Sequence, residues 1–241
     1  MPIVSMGAEA GYTTHVHGDI AAIKVGEISN TAIEAAYIGS LSTTAGGIVR
    51  ADIVGAHGIG SITSKAAIVD SNISAVEPGS DTNGGTIGSF TAPYLIDSEV
   101  SAMDGITKFT VTRNMYNSSV STLFNPGPGA YEGGGIGSLT VAGMSDDCSV
   151  EANETIGSVK IGAGGIHHSG IYSRQNITSV QVAGDLVDGE IQADGMLPNV
   201  KISGDAIHDS LIQGATGGTV AIAGNLSEGV VSFSGDAGSI K

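Results

Sequence analysis

The sequence TIGSVKIG, residues 155–162, recurs with small changes along almost the whole chain. Aligning the chain on its IGS phrase gives starts that are 18 to 30 residues apart, most of them about 20. The starts are Ile20, Ile38, Ile59, Ile87, Ile106, Ile136, Ile156, Ile177, Leu197, Gly217 and Ala237. A period of this length is the sequence signature of a repeat architecture.

Two columns of apolar residues run through the repeats. The fourth position of every repeat is apolar, and the sixth is mostly apolar, which is the two-residue period of a strand with one buried face. The fourth positions are Ile23, Leu41, Ile62, Phe90, Phe109, Leu139, Val159, Val180, Val200, Val220 and Ile240. The second column, further round each repeat, is Ile33, Ile53, Ile73, Val100, Val120, Val150, Ile171, Ile191, Leu211 and Val231.

A repeat of about 20 residues without helical periodicity cannot close its own core, whereas stacked coils can bury a continuous one. The sequence therefore predicts an all-β, right-handed parallel β-helix (β-solenoid) of about ten rungs of ~20 residues. A left-handed helix would follow a stricter hexapeptide phrase with an 18-residue turn. Glycine pairs such as Gly184-Asp185 and Gly204-Asp205 are expected to form the corners with left-handed backbone angles.

The composition of the chain argues against some classes of binding partner. The net charge of −15, with only 9 Lys and Arg, argues against nucleic acid and against anionic membrane surfaces. No apolar run approaches the ~20 residues of a membrane span, so membrane insertion is not expected.

Cys148 has no partner for a disulfide and is expected to be a small buried residue. Residues 1–19 lack the pattern of a signal peptide, so an export signal would lie outside this chain or be of another type.

The pattern divides the chain into an irregular N-terminal cap or joint, residues 1–19, and a β-helix, residues 20–241. Two insertions lengthen turns at the same repeat phase: EPGSDTNGGT, residues 77–86, and LFNPGPGAYEGGG, residues 123–135. They are expected to leave one corner of the rod, two rungs apart. With Tyr94, Tyr116, Phe124 and Tyr131 they form a candidate binding surface, the alternative being tolerated corner insertions.

The phrases IGSVKIGAGG, ITSVQVAGDLVDGEIQADG and LPNVKISGDAIHDSLIQGATG carry a resemblance to a known group. They resemble the glycine-rich β-helix repeats of large bacterial cell-surface and extracellular proteins, within the pectin-lyase-like β-helix class. The resemblance covers nearly the whole chain. It implies a structural or adhesive role and an extracellular or cell-surface location.

Three residues are candidates for hydrolase chemistry. SDDCS, residues 145–149, resembles the paired aspartates of polygalacturonases, and AHGIGS, residues 56–61, loosely resembles their histidine motif. Asp146, Asp147 and His57 would be the catalytic residues, with two carboxyls ~6.5–9.5 Å apart in an inverting enzyme. The histidine here precedes the aspartates, and the family's Asn-Thr-Asp and Arg-x-Lys elements are missing. The alternative is that all three are polar corner residues.

THVHGD places His15, His17 and Asp19 on one face of an extended strand, where they could hold a divalent metal. The alternative is a solvated terminal strand. His167 and His168 are adjacent and are expected to point to opposite sides. Acidity alone suggests Ca²⁺, although the nonapeptide of calcium-binding β-rolls is absent, and no other cofactor is expected.

The leading hypothesis is an extracellular structural or adhesive solenoid, either a segment of a large surface protein or a filament subunit. The chain stops in mid-repeat at GDAGSIK, which predicts contact with neighbouring repeats of a longer chain or end-to-end association of copies. The first alternative is a β-helix that binds or cleaves polysaccharide. The second is a cytoplasmic polymerising β-helix that resembles the bactofilins.

Overall fold

The computed structural model describes residues 3–4, 12–76, 85–122, 124–127 and 130–241. It is an all-β protein in which parallel strands stack as a β-solenoid of about ten turns, about 20 residues apart. The described residues contain no helix. The fold class predicted from the repeat is therefore confirmed.

Each turn has three sides. The strands of the first side are Ala22–Val25, Ile38–Thr43, Gly58–Thr63, Thr86–Ala92, Gly105–Val111, Ile136–Val141, Ile156–Ile161, Ile177–Val182 and Ser239–Ile240, and Ile3–Val4 pairs with the first of them. The strands of the second side are Ile28–Ser29, Ile48–Val49, Ile68–Val69, Leu95–Ile96, Met115–Tyr116, Met144–Asp146, Gly165–His167, Leu186–Val187, Ala206–Ile207 and Leu226–Ser227.

The third side completes the turn. Its strands are Tyr12–Val16, Thr31–Ala35, Asp52–Gly55, Asn72–Ala75, Glu99–Ala102, Ser119–Ser121, Ser149–Ala152, Gly170–Ser173 and Val230–Phe233. Two longer strands, Glu190–Ile202 and Leu211–Ile222, continue from the third side into the first side of the next turn. The strands of successive turns pair in parallel, so equivalent residues stack directly on one another, with one register shift between Ala193 and Met196.

The predicted apolar columns form the core. The fourth-position column is buried from Ile23 to Val220. Phe90 and Phe109, in adjacent turns, stack with ring centres 4.5 Å apart and are completely buried. The second column needs one correction, because Ile191 pairs with Ile212 rather than with Leu211. The corner just before Leu211 has one extra residue, since both His208 and Asp209 have positive φ. This residue shifts the register of the following strand by one.

The corner between the second and third sides, here called the left-handed corner, has nearly the same backbone conformation in every turn. In each turn one residue other than glycine has a φ of 42° to 58°. These residues are Asn30, Arg50, Asp70, Asp97, Asn117, Asp147, His168, Asp188, His208 and Glu228. Asn and Asp adopt this conformation more readily than most residues, and they occupy six of these ten positions.

The expectation that Gly184 and Gly204 supply left-handed corners is wrong. Neither glycine has a positive φ. A Cβ at Gly204 would lie 1.9 Å from Asp185 Oδ1 in the preceding turn, so close approach between turns, not backbone angle, requires glycine there.

Both insertions leave the corner between the third and first sides, here called the insertion corner. The first follows Val76 and the second follows Thr122, after third-side strands that lie two turns apart. Residues 77–84, 123 and 128–129 lie outside the described residues. Within the second insertion, Phe124–Gly127 and Ala130–Glu132 pair as antiparallel strands.

The last turn exposes residues that are covered in earlier turns. Leu226 is 46% exposed, whereas Leu186 and Ala206 in the same column are buried. Ile240 is 54% exposed, although Val220, its partner in the preceding turn, is completely buried. The face of the last turn is therefore apolar and open.

Candidate functional site

A groove runs along the left-handed corner and crosses several turns. Its volume is about 950 Å³, and its lining includes Asp70, Asn72, Asp97, Glu99, Asp147 and His168. The corner residues of successive turns line it because they share one backbone conformation and stack in register. The result is a polar, mainly acidic surface that follows the rod axis, here called the corner groove.

Small hydroxyl groups are buried beneath the corner groove. Ser98 Oγ donates a hydrogen bond to Ile96 O at 2.7 Å and accepts one from Ser71 N at 3.1 Å. Ser98 N in turn donates to Ser118 Oγ at 3.1 Å. Each serine thus satisfies a backbone amide of one neighbouring turn, which links the turns through the corner.

Cys148 is a member of this buried ladder. Its backbone N donates to Ser169 Oγ at 2.9 Å, and its thiol donates to Asp146 O at 3.1 Å. Burial raises the pKa of the Cys148 thiol, and the backbone amide of Ser118 partly opposes that rise. The residue is buried, as expected, but it also occupies a position at which other turns carry serine.

Four titratable side chains from three turns, Asp146, Asp147, His168 and Asp188, lie close together beside the corner groove. His168 Nδ1 lies 3.2 Å from Asp146 Oδ1, and His168 Nε2 lies 3.5 Å from Asp188 Oδ2. Donor atoms of Asp146, Asp147 and His168 lie within 4.8 Å of one another. The hydrogen bond with Asp146 is the main reason why the pKa of His168 is raised, and the charges of Asp147 and Asp188 add to it.

The proposed hydrolase trio does not come together. His57 follows the third-side strand Asp52–Gly55 at the insertion corner, whereas Asp146 and Asp147 lie at the left-handed corner several turns later. The histidine beside the aspartates is His168, which the sequence analysis did not connect with them. The spacing of 21 to 22 residues, one turn, is the signal that would have found it.

His15 and His17 line a second pocket, here called the N-terminal pocket, of about 430 Å³. Glu34 and His57 line it too, together with Ala36. His15 Nδ1 contacts the Glu34 carboxylate, and the His15 and His17 rings meet edge to face, 5.1 Å apart. Asp19, the third residue of the predicted metal set, is not in the lining.

Two of the four aromatic residues of the predicted binding surface, Tyr94 and Tyr116, lie at the second side of the coil. Tyr94 precedes the second-side strand Leu95–Ile96, and Tyr116 ends the strand of the next turn. Both are half-buried, and their hydroxyls accept hydrogen bonds from Arg113 Nη1 at 3.0 Å and Asn114 Nδ2 at 2.6 Å. The insertions leave the insertion corner, on the other side of the coil. The side chains of Phe124 and Tyr131 lie outside the described part of the structure.

No protein-family model matches the chain, and neither the curated proteins nor the solved structures contain a match. Across the described residues, no helix has the length and apolar character needed to cross a membrane.

Proposed function

We propose that the protein is a structural solenoid that acts as a rigid rod, either as a segment of a large surface protein or as a filament subunit. The observation that supports this proposal best is the stack of about ten parallel turns around one continuous apolar core, which is the architecture of a rigid rod. Leu226 and Ile240 of the last described turn are exposed, and they are the residues against which a neighbouring coil would pack.

The architecture suits a mechanical role. Turns are about 4.8 Å apart, so about ten of them form a rod roughly 50 Å long. Backbone hydrogen bonds run along the rod on all three sides, and one continuous apolar core passes through it. An extracellular or cell-surface location belongs to this proposal through the resemblance of the repeats to bacterial surface β-helix proteins.

Electron microscopy of the tag-free chain over a range of concentrations tests the filament form of the proposal. We expect rods that lengthen with concentration and have an axial repeat near the length of one molecule. The double variant Leu226→Lys and Ile240→Lys should stay short, because it places charge on the end face. The matched control, Ser89→Lys with Thr110→Lys, adds the same charge to the first side and should still assemble.

Two results of this experiment would contradict the filament form of the proposal. Single rods at every concentration would contradict self-association, and filaments of unchanged length in the double variant would show that the end face is not the joint. A segment of a longer chain is tested separately, by fusing a further repeat after Lys241. A solenoid segment should then gain stability, since the added turn covers Leu226 and Ile240.

A second candidate function, carbohydrate binding, is favoured by the corner groove. The groove is long and polar, and each turn contributes hydrogen-bonding groups such as Asn72 and Glu99. Its acidic lining favours a neutral or cationic polysaccharide over a uronate polymer. A glycan-binding screen with Asn72→Ala plus Glu99→Ala tests this role, with Glu190→Ala as the control on the same side. Equal binding by all three proteins would exclude the groove as the site.

A further inference from the structure

We propose that the N-terminal pocket binds a divalent transition-metal ion of the Zn²⁺ class through His15, His17, Glu34 and His57. The inference is independent of the structural role proposed above. It replaces the predicted set of His15, His17 and Asp19, because the stacked turns supply two other ligands in place of Asp19.

The first two ligands come from one strand and the bend that follows it. His15 lies in the extended strand Tyr12–Val16, and His17 follows two residues later on the same exposed face. Their ring centres are 5.1 Å apart. Two imidazoles on one tetrahedral ion, with metal–nitrogen bonds of about 2.0–2.1 Å, have ring centres about 5 Å apart. The distance between the two ring centres is therefore compatible with a shared ion once the ring nitrogens turn toward it.

The third ligand, Glu34, comes from the next turn. Its strand pairs with that of His15, and Glu34 is the register partner of His15. The Glu34 carboxylate already contacts His15 Nδ1, and its side chain is about one-third exposed. A carboxylate beside two imidazoles supplies an oxygen ligand and offsets the charge of the ion.

The fourth ligand, His57, comes from one turn further along the rod. Ala36 lies between the two histidine-bearing turns: its N donates to Gly18 O at 3.0 Å, and its O accepts from His57 N at 2.7 Å. The two outer turns are about 10 Å apart, twice the spacing of stacked strands. The methyl group of Ala36 leaves the space between them open, so His17 and His57 line one pocket.

The donor set selects the class of ion. Three imidazole nitrogens and one carboxylate oxygen suit Zn²⁺, Cu²⁺ and Ni²⁺, whereas Ca²⁺ and Mg²⁺ prefer ligand sets made of oxygen. His15, His17 and His57 are exposed side chains, so rotation about their side-chain bonds closes the set on the ion without repacking the core.

Titration of the tag-free full-length chain with Zn²⁺ by isothermal calorimetry tests the site. We expect one ion per chain and a loss in affinity of at least about tenfold in either His17→Ala or His57→Ala. The matched controls are His208→Ala, which removes an exposed histidine near the other end, and His168→Ala, which removes the histidine of the acidic cluster at the left-handed corner. Both should bind as the unchanged protein does. Circular dichroism confirms that each variant keeps the fold.

Three outcomes would overturn the proposal. The first is the absence of Zn²⁺ binding by a folded chain. The second is full affinity in His57→Ala, which would reduce the site to a histidine pair on one strand. The third is loss of binding in His168→Ala, which would place the ion beside Asp146 and Asp147 instead.

Discussion

The left-handed corner and the insertion corner both turn the chain from one side of the coil to the next, but only the insertion corner carries long additional segments. At the left-handed corner a single residue turns the chain in almost every coil, and its φ stays between 42° and 58°. At the insertion corner two coils carry long additional segments, one of which contains an antiparallel pair of strands. Both corners belong to the same turns, so the difference arises from local contacts.

Buried hydrogen bonds explain the difference. At the left-handed corner, the buried residues Ser71, Ser98 and Ser118 connect successive turns through hydrogen bonds to backbone amides. An added residue would displace such a group. At the insertion corner, hydrogen bonds among the described residues hold the ends of the insertions: Gly85 N donates to Ala75 O at 2.9 Å, and Thr122 Oγ1 donates to Gly134 O at 2.6 Å. Residues between the fixed ends can be added at little cost.

The largest effect is expected from the buried hydroxyl ladder. Ser98→Ala leaves Ser71 N without its acceptor in a buried position, and we predict a loss of about 1–3 kcal/mol in the free energy of unfolding. Urea unfolding followed by circular dichroism measures it. Ser89→Ala, on the solvent face of the first side, should change the value by less than about 0.5 kcal/mol. Equal losses in the two variants would refute the role assigned to the ladder.

A slightly smaller effect is expected from the backbone conformation of the left-handed corner. Asp97→Val should lower the free energy of unfolding by about 1–2 kcal/mol, because a β-branched residue is strained at a φ of 48°. Asp97→Asn should be nearly neutral. Asp104→Val provides the matched change at the insertion corner, where φ is not positive, and should cost less. If both valine variants lose the same stability, the two corners do not differ in backbone strain.

A smaller effect still is expected from removal of the second insertion. Deleting residues 123–132 joins Thr122 to Gly133 and leaves residues 122 and 133–135 before Ile136. The preceding turn has a connection of the same length, residues 102–105 before Ile106, so the shortened corner has a natural template in this chain. We predict a change of less than about 1 kcal/mol in the free energy of unfolding, because shortening a loop between fixed ends alters its closure entropy only slightly.

Urea unfolding of the deletion variant measures this change. Failure of the variant to fold would show that the insertion is part of the core structure rather than an addition to one corner.

The smallest effect is expected from the titration of His168. Its folded-state pKa is raised, chiefly by the hydrogen bond with Asp146, so its protonated form contributes stability at low pH. That contribution is complete below the unfolded-state pKa of histidine and is lost as the pH rises through the raised folded-state value. We predict that His168→Asn, which tolerates the left-handed conformation, narrows its stability difference from the unchanged protein as the pH rises.

An NMR titration of the His168 ring checks the cause. The pKa should lie above that of histidine in a peptide and should fall in Asp146→Asn. A ring that titrates identically in both proteins would contradict the assigned hydrogen bond.

The stacking of the coils could be predicted from the sequence because the burial of one face recurs every turn. Ile23, Leu41 and Ile62 are apolar for the same reason, since each faces the interior at the same point of its coil. The exchange of Leu211 for Ile212 as the inward residue could not be predicted, because the extra residue at Asp209 disturbs no apolar pattern.

The contacts at the corners were less accessible to sequence analysis. The Gly-Asp pairs predict left-handed angles at Gly184 and Gly204, but at the left-handed corner the structure gives these angles to Asp97, Asn117 and their equivalents. The contact of His168 with Asp146, and the pocket shared by His57 and His17, depend on which residues stack across turns. Such proximity becomes visible only when the number of residues in each coil is known.

The open last turn also has a mechanical consequence. Since each coil contacts only its neighbours, the coil with one uncovered face has the least to hold it when the chain is pulled from that end. A coil of about 20 residues extends to roughly 65–70 Å once it is released. Under tension in an optical trap, the rod should therefore peel from Lys241 inward in steps of nearly equal length, and the two coils with insertions should give longer steps.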